Sequence, residues 1–172
     1  MNTPAPRYGE LRWLWLSLCV VIADQVSKAA IAAHLRPFES IRVLPIFNIV
    51  LLHNTGAAFS LLANQPGWQR WFFIVLALAI TAGIVIWMTR LSSRQDRWIP
   101  GGLALVAGGA IGNVIDRIWH GYVIDFIQVH YQQWYYPAFN VADSAITVGA
   151  VILVLDGLFR RRPDTLRDEE IK

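Results

Sequence analysis

Trp71-Phe-Phe-Ile-Val-Leu-Ala-Leu-Ala-Ile-Thr-Ala-Gly-Ile-Val-Ile-Trp-Met88 carries no charged side chain over eighteen residues. A helix of about 20 mostly apolar residues, rising about 1.5 Å per residue, crosses the hydrocarbon core of a bilayer. Gln69–Thr89 is therefore read as a membrane span. Three more apolar runs of similar length flank it, at 12–33, 98–117 and 137–159. The composition agrees: 55% of the 172 residues are hydrophobic and only 16% are charged, where a soluble domain carries about 25%. The mean hydropathy is +0.42. Residues 1–172 are expected to form one integral membrane domain, with four spans and little else. Trp13, Trp15, Trp71, Trp87, Trp98 and Trp134 fall near the ends of apolar runs, as an interfacial aromatic belt requires.

Charge placement orients the chain. Arg7 and Arg12 precede span one, Arg90, Arg94 and Arg97 join spans two and three, and five more basic residues follow span four. Basic residues collect on the cytoplasmic side, so both termini are expected inside and loops 34–68 and 118–136 outside. The same clustering beside spans argues against nucleic acid, despite a pI near 9.4, because no basic soluble face or binding motif is present. The first run resembles a cleavable signal peptide in its basic start, but it is longer than a usual apolar core and Asp24 and Lys28 follow. It is read as an uncleaved span. Cys19, the single cysteine, excludes an internal disulfide and is expected to be a small buried hydrophobe.

Ser40–Leu52 and Tyr122–Val129 are rich in β-branched and aromatic residues, which suits a small sheet on the outer face. Asn54-Thr-Gly-Ala-Ala58 reads as a tight turn with backbone freedom at Gly56. The fold class is thus an all-α polytopic membrane protein with a small outer β-sheet.

Charges inside the spans carry the chemistry. Such residues are costly in a bilayer and persist mainly where they face a protein interior or a wet cavity. Asp125 lies in Val123-Ile-Asp-Phe126, and Asp143 lies near the head of span four, about a turn and a half in. Two carboxylates at one site can share a proton, one serving as base and the other as acid. The simpler alternative makes Asp125 a solvated loop residue and Asp143 a first-turn residue favoured by the helix dipole, with Asn140 as cap. Asp24 and Lys28, four apart, are expected to pair structurally. Asn113, Asp116 and Arg117 share one end of span three; a structural polar knot is the favoured reading, and Arg117 orienting a substrate carbonyl or lipid phosphate is the other. Ser27, Ser60 and Ser144 lack the base a serine nucleophile needs. His34, His53, His120 and His130 match no common zinc spacing. Three function classes remain: a protease at the membrane surface, a small proton-coupled transporter using the intramembrane charges, and a scaffold. A relay should spread its charges through the membrane depth, whereas most of these fall toward the outer half.

Five motifs in this order resemble lipoprotein signal peptidase, also called signal peptidase II, a bacterial inner-membrane aspartyl protease. They are Asp24-Gln-Val-Ser-Lys28, Asn54-Thr-Gly-Ala-Ala-Phe59, Gly108-Gly-Ala-Ile-Gly-Asn-Val-Ile-Asp-Arg117, Val123-Ile-Asp-Phe126 and Phe139-Asn-Val-Ala-Asp-Ser144. The resemblance implies that Asp125 and Asp143 are the catalytic pair. It implies that Asp24, Lys28, Asn54, Asn113, Asp116, Arg117 and Asn140 shape or support the site. It implies a prolipoprotein substrate already carrying diacylglycerol on its cysteine, a cut just before that cysteine, and an active site at the periplasmic face. It further implies no metal or other cofactor, inhibition by globomycin-type cyclic peptides, and membrane lipid as the surroundings. The chain is expected to act as a monomer.

Overall fold

The computed structural model describes residues 9–56, 65–91 and 98–159. Expectations for Arg7, Arg94, Arg97, the tail from Arg160, Ser60 and the turn residues Ala57 and Ala58 lie outside the described residues. The order of elements is a 3-10 turn (Leu11–Trp13), α1 (Leu14–His34), β1 (Ser40–Leu44), β2 (Phe47–Asn54), α2 (Trp68–Arg90), α3 (Trp98–Trp119), β3 (Val123–Tyr131), β4 (Trp134–Tyr135) and α4 (Val141–Phe159). All four helices are long and apolar enough to cross a membrane.

α3 is the central helix, packing against α1, α2 and α4. Its glycines permit that. A Cβ on Gly109 would collide with the Ala142 carbonyl oxygen of α4, and one on Gly112 would lie 2.7 Å from Asp24 Oδ2 of α1. Small residues at such crossings let backbones meet closely enough for van der Waals packing to hold the bundle. Met88, Leu103, Ala104 and Ala107 form the apolar core between α2 and α3. The outer faces of the other helices stay apolar and exposed, as at Trp15, Leu18, Ile22 and Val26 of α1. Cys19 lies on this exposed face, not in the interior as expected, because only the α1 face carrying Val20, Asp24 and Lys28 meets its neighbours.

The α1–α2 and α3–α4 connections join at one end of the bundle as a four-stranded sheet of order β1-β2-β3-β4. β2 and β3 pair antiparallel, with Leu52 opposite Asp125 and Asn54 opposite Val123. Leu35, Leu51 and Ile124 form a second core under the sheet, tying it to the end of α1. α4 begins at Val141 rather than 137. Phe139 bridges to Ile127 of β3 instead, so the sheet claims the residues before Asn140.

Candidate active site

Asn140 is fully buried and organises the site from the start of α4. Its side-chain oxygen accepts the Asp143 backbone N–H at 2.9 Å, and the Asp143 carboxylate accepts the Asn140 N–H in return at 3.3 Å. This is a reciprocal cap of the capping-box kind, with Asp in place of Glu. Asp143 therefore sits in the first turn, not a turn and a half inside. The Asn140 amide nitrogen donates to Asp125 Oδ1 at 2.8 Å. One side chain thus links both aspartates, eighteen residues apart in sequence. Asp125 is buried at 3% exposure, which removes the solvated-loop alternative. Its other oxygen accepts from the Asn54 amide at 2.9 Å. Asp143 Oδ1 accepts from the Asn113 amide at 2.8 Å.

Below the pair lies a charge cluster. Lys28 Nζ is 2.7 Å from Asp24 Oδ2 and 2.9 Å from Asp116 Oδ2, with all three groups almost fully buried. The two carboxylates also reach backbone. Asp24 accepts the N–H of Ala142, and Asp116 accepts the N–H of Ile124. Each therefore holds the residue immediately before one of the paired aspartates. Gln25 joins them, donating to Asp24, to Asp116 and to the Gly112 carbonyl. Asp116 fits the polar-knot reading, while Asn113 and Arg117 line the cavity.

Arg117 is held by the Gly56 carbonyl at 2.8 Å, the Asn113 carbonyl at 3.3 Å and the Phe73 ring at 5.1 Å. Among the described residues its buried Nε has no hydrogen-bond partner. The cavity measures about 990 Å³ and runs from Asn54, Asp125 and Arg117 to the α4 residues Asp143, Thr147 and Val148. Burial, then the nearby Asp143, push the Asp125 carboxyl up to about 7, and hydrogen bonds from Asn54 and Asn140 with the Lys28 charge hold it from going further. At the rim, His53 and His120 both stack on Tyr122. Burial and the neighbouring His120 lower the His53 pKa. Among the described residues, no three His, Cys, Asp or Glu side chains gather as metal ligands. Ser27 and Ser144 hydroxyls donate to backbone carbonyls of Asp24 and Asn140.

All nine candidate side chains converge. Gln25 and Phe73 were missed. A polar amide beside Asp24 in an apolar run was a usable signal for Gln25; an aromatic in a wholly apolar span gives none for Phe73.

The family model for signal peptidase (SPase) II matches residues 16–159. The chain belongs to the signal peptidase II family. A lipoprotein signal peptidase from Pseudomonas fluorescens is 56% identical over 158 residues, covering 91% of this chain and 92% of that protein. One from Pseudomonas aeruginosa is 52% identical over the same shares. The fold is similar to a solved bacterial membrane enzyme at TM-score 0.77 and 28% identity, covering 94% of this chain and 99% of that one. A second such structure gives 0.76 at 29%, covering 92% and 100%. As a member of the signal peptidase II family the chain is a multi-pass membrane protease of lipoprotein signal peptides, and the transporter and scaffold readings fall.

Proposed function

We propose that Asp125 and Asp143 form an aspartic dyad that removes the signal peptide from a diacylglyceryl-modified prolipoprotein, cutting just before the lipidated cysteine. The observation that carries this is the shared Asn140 contact, which holds the two carboxylates at one cavity. With Asp125 pushed up to about 7, the pair keeps one proton near neutral pH. Asp143, at the positive end of α4, is the ionised member and takes a proton from water. That water attacks the scissile carbonyl carbon, while Asp125 gives its proton to the carbonyl oxygen. The diol then collapses. Asp143 gives the proton it took to the amide nitrogen, a diol hydroxyl returns one to Asp125, the C–N bond breaks, and the products are a signal-peptide carboxylic acid, which ionises in water, and a free cysteine amine. Arg117 and Asn54 hold the substrate backbone or lipid headgroup.

The site faces the periplasm from the bacterial inner membrane, with both termini in the cytoplasm and the chain acting as a monomer. A signal peptide is itself a membrane helix, so it reaches the cavity laterally. Globomycin-type cyclic peptides would compete for the same cavity. The test is cleavage of a diacylglyceryl prolipoprotein by the purified chain in detergent, with wild type and Asp143→Asn compared, each with and without EDTA. The expected result is cleavage by wild type only, untouched by EDTA. Cleavage by a folded Asp143→Asn chain would remove the dyad.

A further inference from the structure

Lys28 lies beneath the two aspartates and touches neither. Its ammonium has three protons and no acceptor, and three acceptors surround it: Asp24 Oδ2 at 2.7 Å, Asp116 Oδ2 at 2.9 Å and Asn113 Oδ1 at 3.2 Å. The Asn113 oxygen also accepts from the Asn140 amide nitrogen at 3.3 Å. With that oxygen committed, the Asn113 NH2 faces the other way and donates to Asp143 Oδ1 at 2.8 Å. A flipped Asn113 would set its NH2 against an ammonium and a second amide NH2, and its oxygen against a carboxylate. Both contacts would then be repulsive.

We propose that Lys28 is a positioning residue for the dyad: it locks the Asn113 amide in the orientation that presents an N–H to Asp143 and so keeps that carboxylate oxygen free of a proton. This rests on the dyad reading given above. A methionine in place of Lys28 would leave Asp24 and Asp116 as buried carboxylates without their cation, and would no longer dictate which end of Asn113 faces the pair. Among the described residues, the charged groups around this relay are Asp24 and Lys28 of α1, Asp116 and Arg117 of α3, Asp125 of β3 and Asp143 of α4.

Asn113→Asp is the deciding variant. It is nearly isosteric and still gives Lys28 an acceptor, but it turns an oxygen rather than an N–H toward Asp143. A third carboxylate at the pair makes it hold protons more tightly. The expected result is a chain that still folds, a rate at pH 7 per folded enzyme lowered about tenfold or more, and a pH–rate optimum moved up by about one unit or more. An unmoved optimum, whether the rate is unchanged or uniformly lower, overturns the proposal. A second measurement is a double-mutant cycle. At equal amounts of folded enzyme, Lys28→Met is expected to lower the rate by a clearly larger factor when Asn113 is present than in an Asn113→Ala background, as coupled residues behave. Equal losses in both backgrounds overturn the relay. The Asp143→Asn control separates the two ideas. Cleavage by that variant ends the dyad reading, whereas an inactive Asp143→Asn beside an unmoved Asn113→Asp optimum ends only the Lys28 link.

Discussion

Asp125 is where burial changes chemistry most directly. A carboxyl near 3.8 in the unfolded chain is pushed up to about 7 in the fold, first by burial and then by the charge of Asp143. The consequence for stability has a definite sign. Between these values the native state binds more protons than the unfolded state, so stability falls as pH rises. Asp125→Asn lacks the titrating group. Between pH 5 and 8 wild type should therefore lose about 2 kcal/mol or more relative to this variant, because a tenfold change in proton binding is worth about 1.4 kcal/mol. Thermal melts in detergent at four pH values would show it, and parallel curves would contradict it. The variant should also be inactive. In wild type, cleavage should decline above about pH 7, as the pair gives up its last proton.

Elements place these residues, and two backbone contacts decide their spacing. Asp24 reaches from α1 to the N–H of Ala142, and Asp116 reaches from α3 to the N–H of Ile124. α4 and β3 are thereby set against a common cation, Lys28. Asp24→Asn keeps the shape, but whichever way the amide lies it loses an acceptor: an NH2 meets either Lys28 or the Ala142 N–H. Breaking one partner of a buried ion pair costs about 3–5 kcal/mol, so this variant should melt markedly lower and cleave poorly although it is remote from substrate. Unchanged melting would show that α4 is anchored by packing alone. The spans were legible because an uncharged run of about 20 residues has one economical fate in a bilayer. β1, β2 and β3 were legible from their β-branched residues, whereas β4, Trp134–Tyr135, has none and was not. The start of α4 was read too early: Pro137, Ala138 and Phe139 are as apolar as the span after them, and the pairing of Phe139 with Ile127 together with the Asn140 cap removes them from the helix. The site divides the same way. Asp125 and Asp143 stood out because charge is rare in such a chain. That Asn140 would join them depends on two elements meeting, which sequence spacing does not encode.

The whole molecule is a bundle with its polar machinery at one end. The sheet and the cavity lie at the end of the bundle opposite Arg12 and Arg90, the described members of the basic clusters. The proposed orientation puts that end outside, by the basic-residue asymmetry of the sequence: a cysteine replacing the exposed Arg42 of β1, in a Cys19→Ser background, should react with an impermeant maleimide added outside the inner membrane. Labelling only after that membrane is broken would invert the topology. The cavity also has a side. Its lining includes Thr147 and Val148, which are exposed on α4, one turn beyond Asp143. An opening flanked by a lipid-facing helix suits a substrate whose signal sequence is itself an apolar helix and whose cysteine carries acyl chains, because neither need leave the bilayer. Val148 is 52% exposed, so a larger side chain there adds bulk to the opening without entering the core. Val148→Trp should raise KM about tenfold, a loss of about 1.4 kcal/mol in binding, while kcat stays within about twofold and the melting temperature holds, since exposed substitutions shift stability by about 0.5 kcal/mol at most. The split between KM and kcat is the informative part. A fall in kcat with KM unchanged would mean that the indole disturbs Asp143 through α4, and no change in either would mean that the substrate enters past the sheet instead.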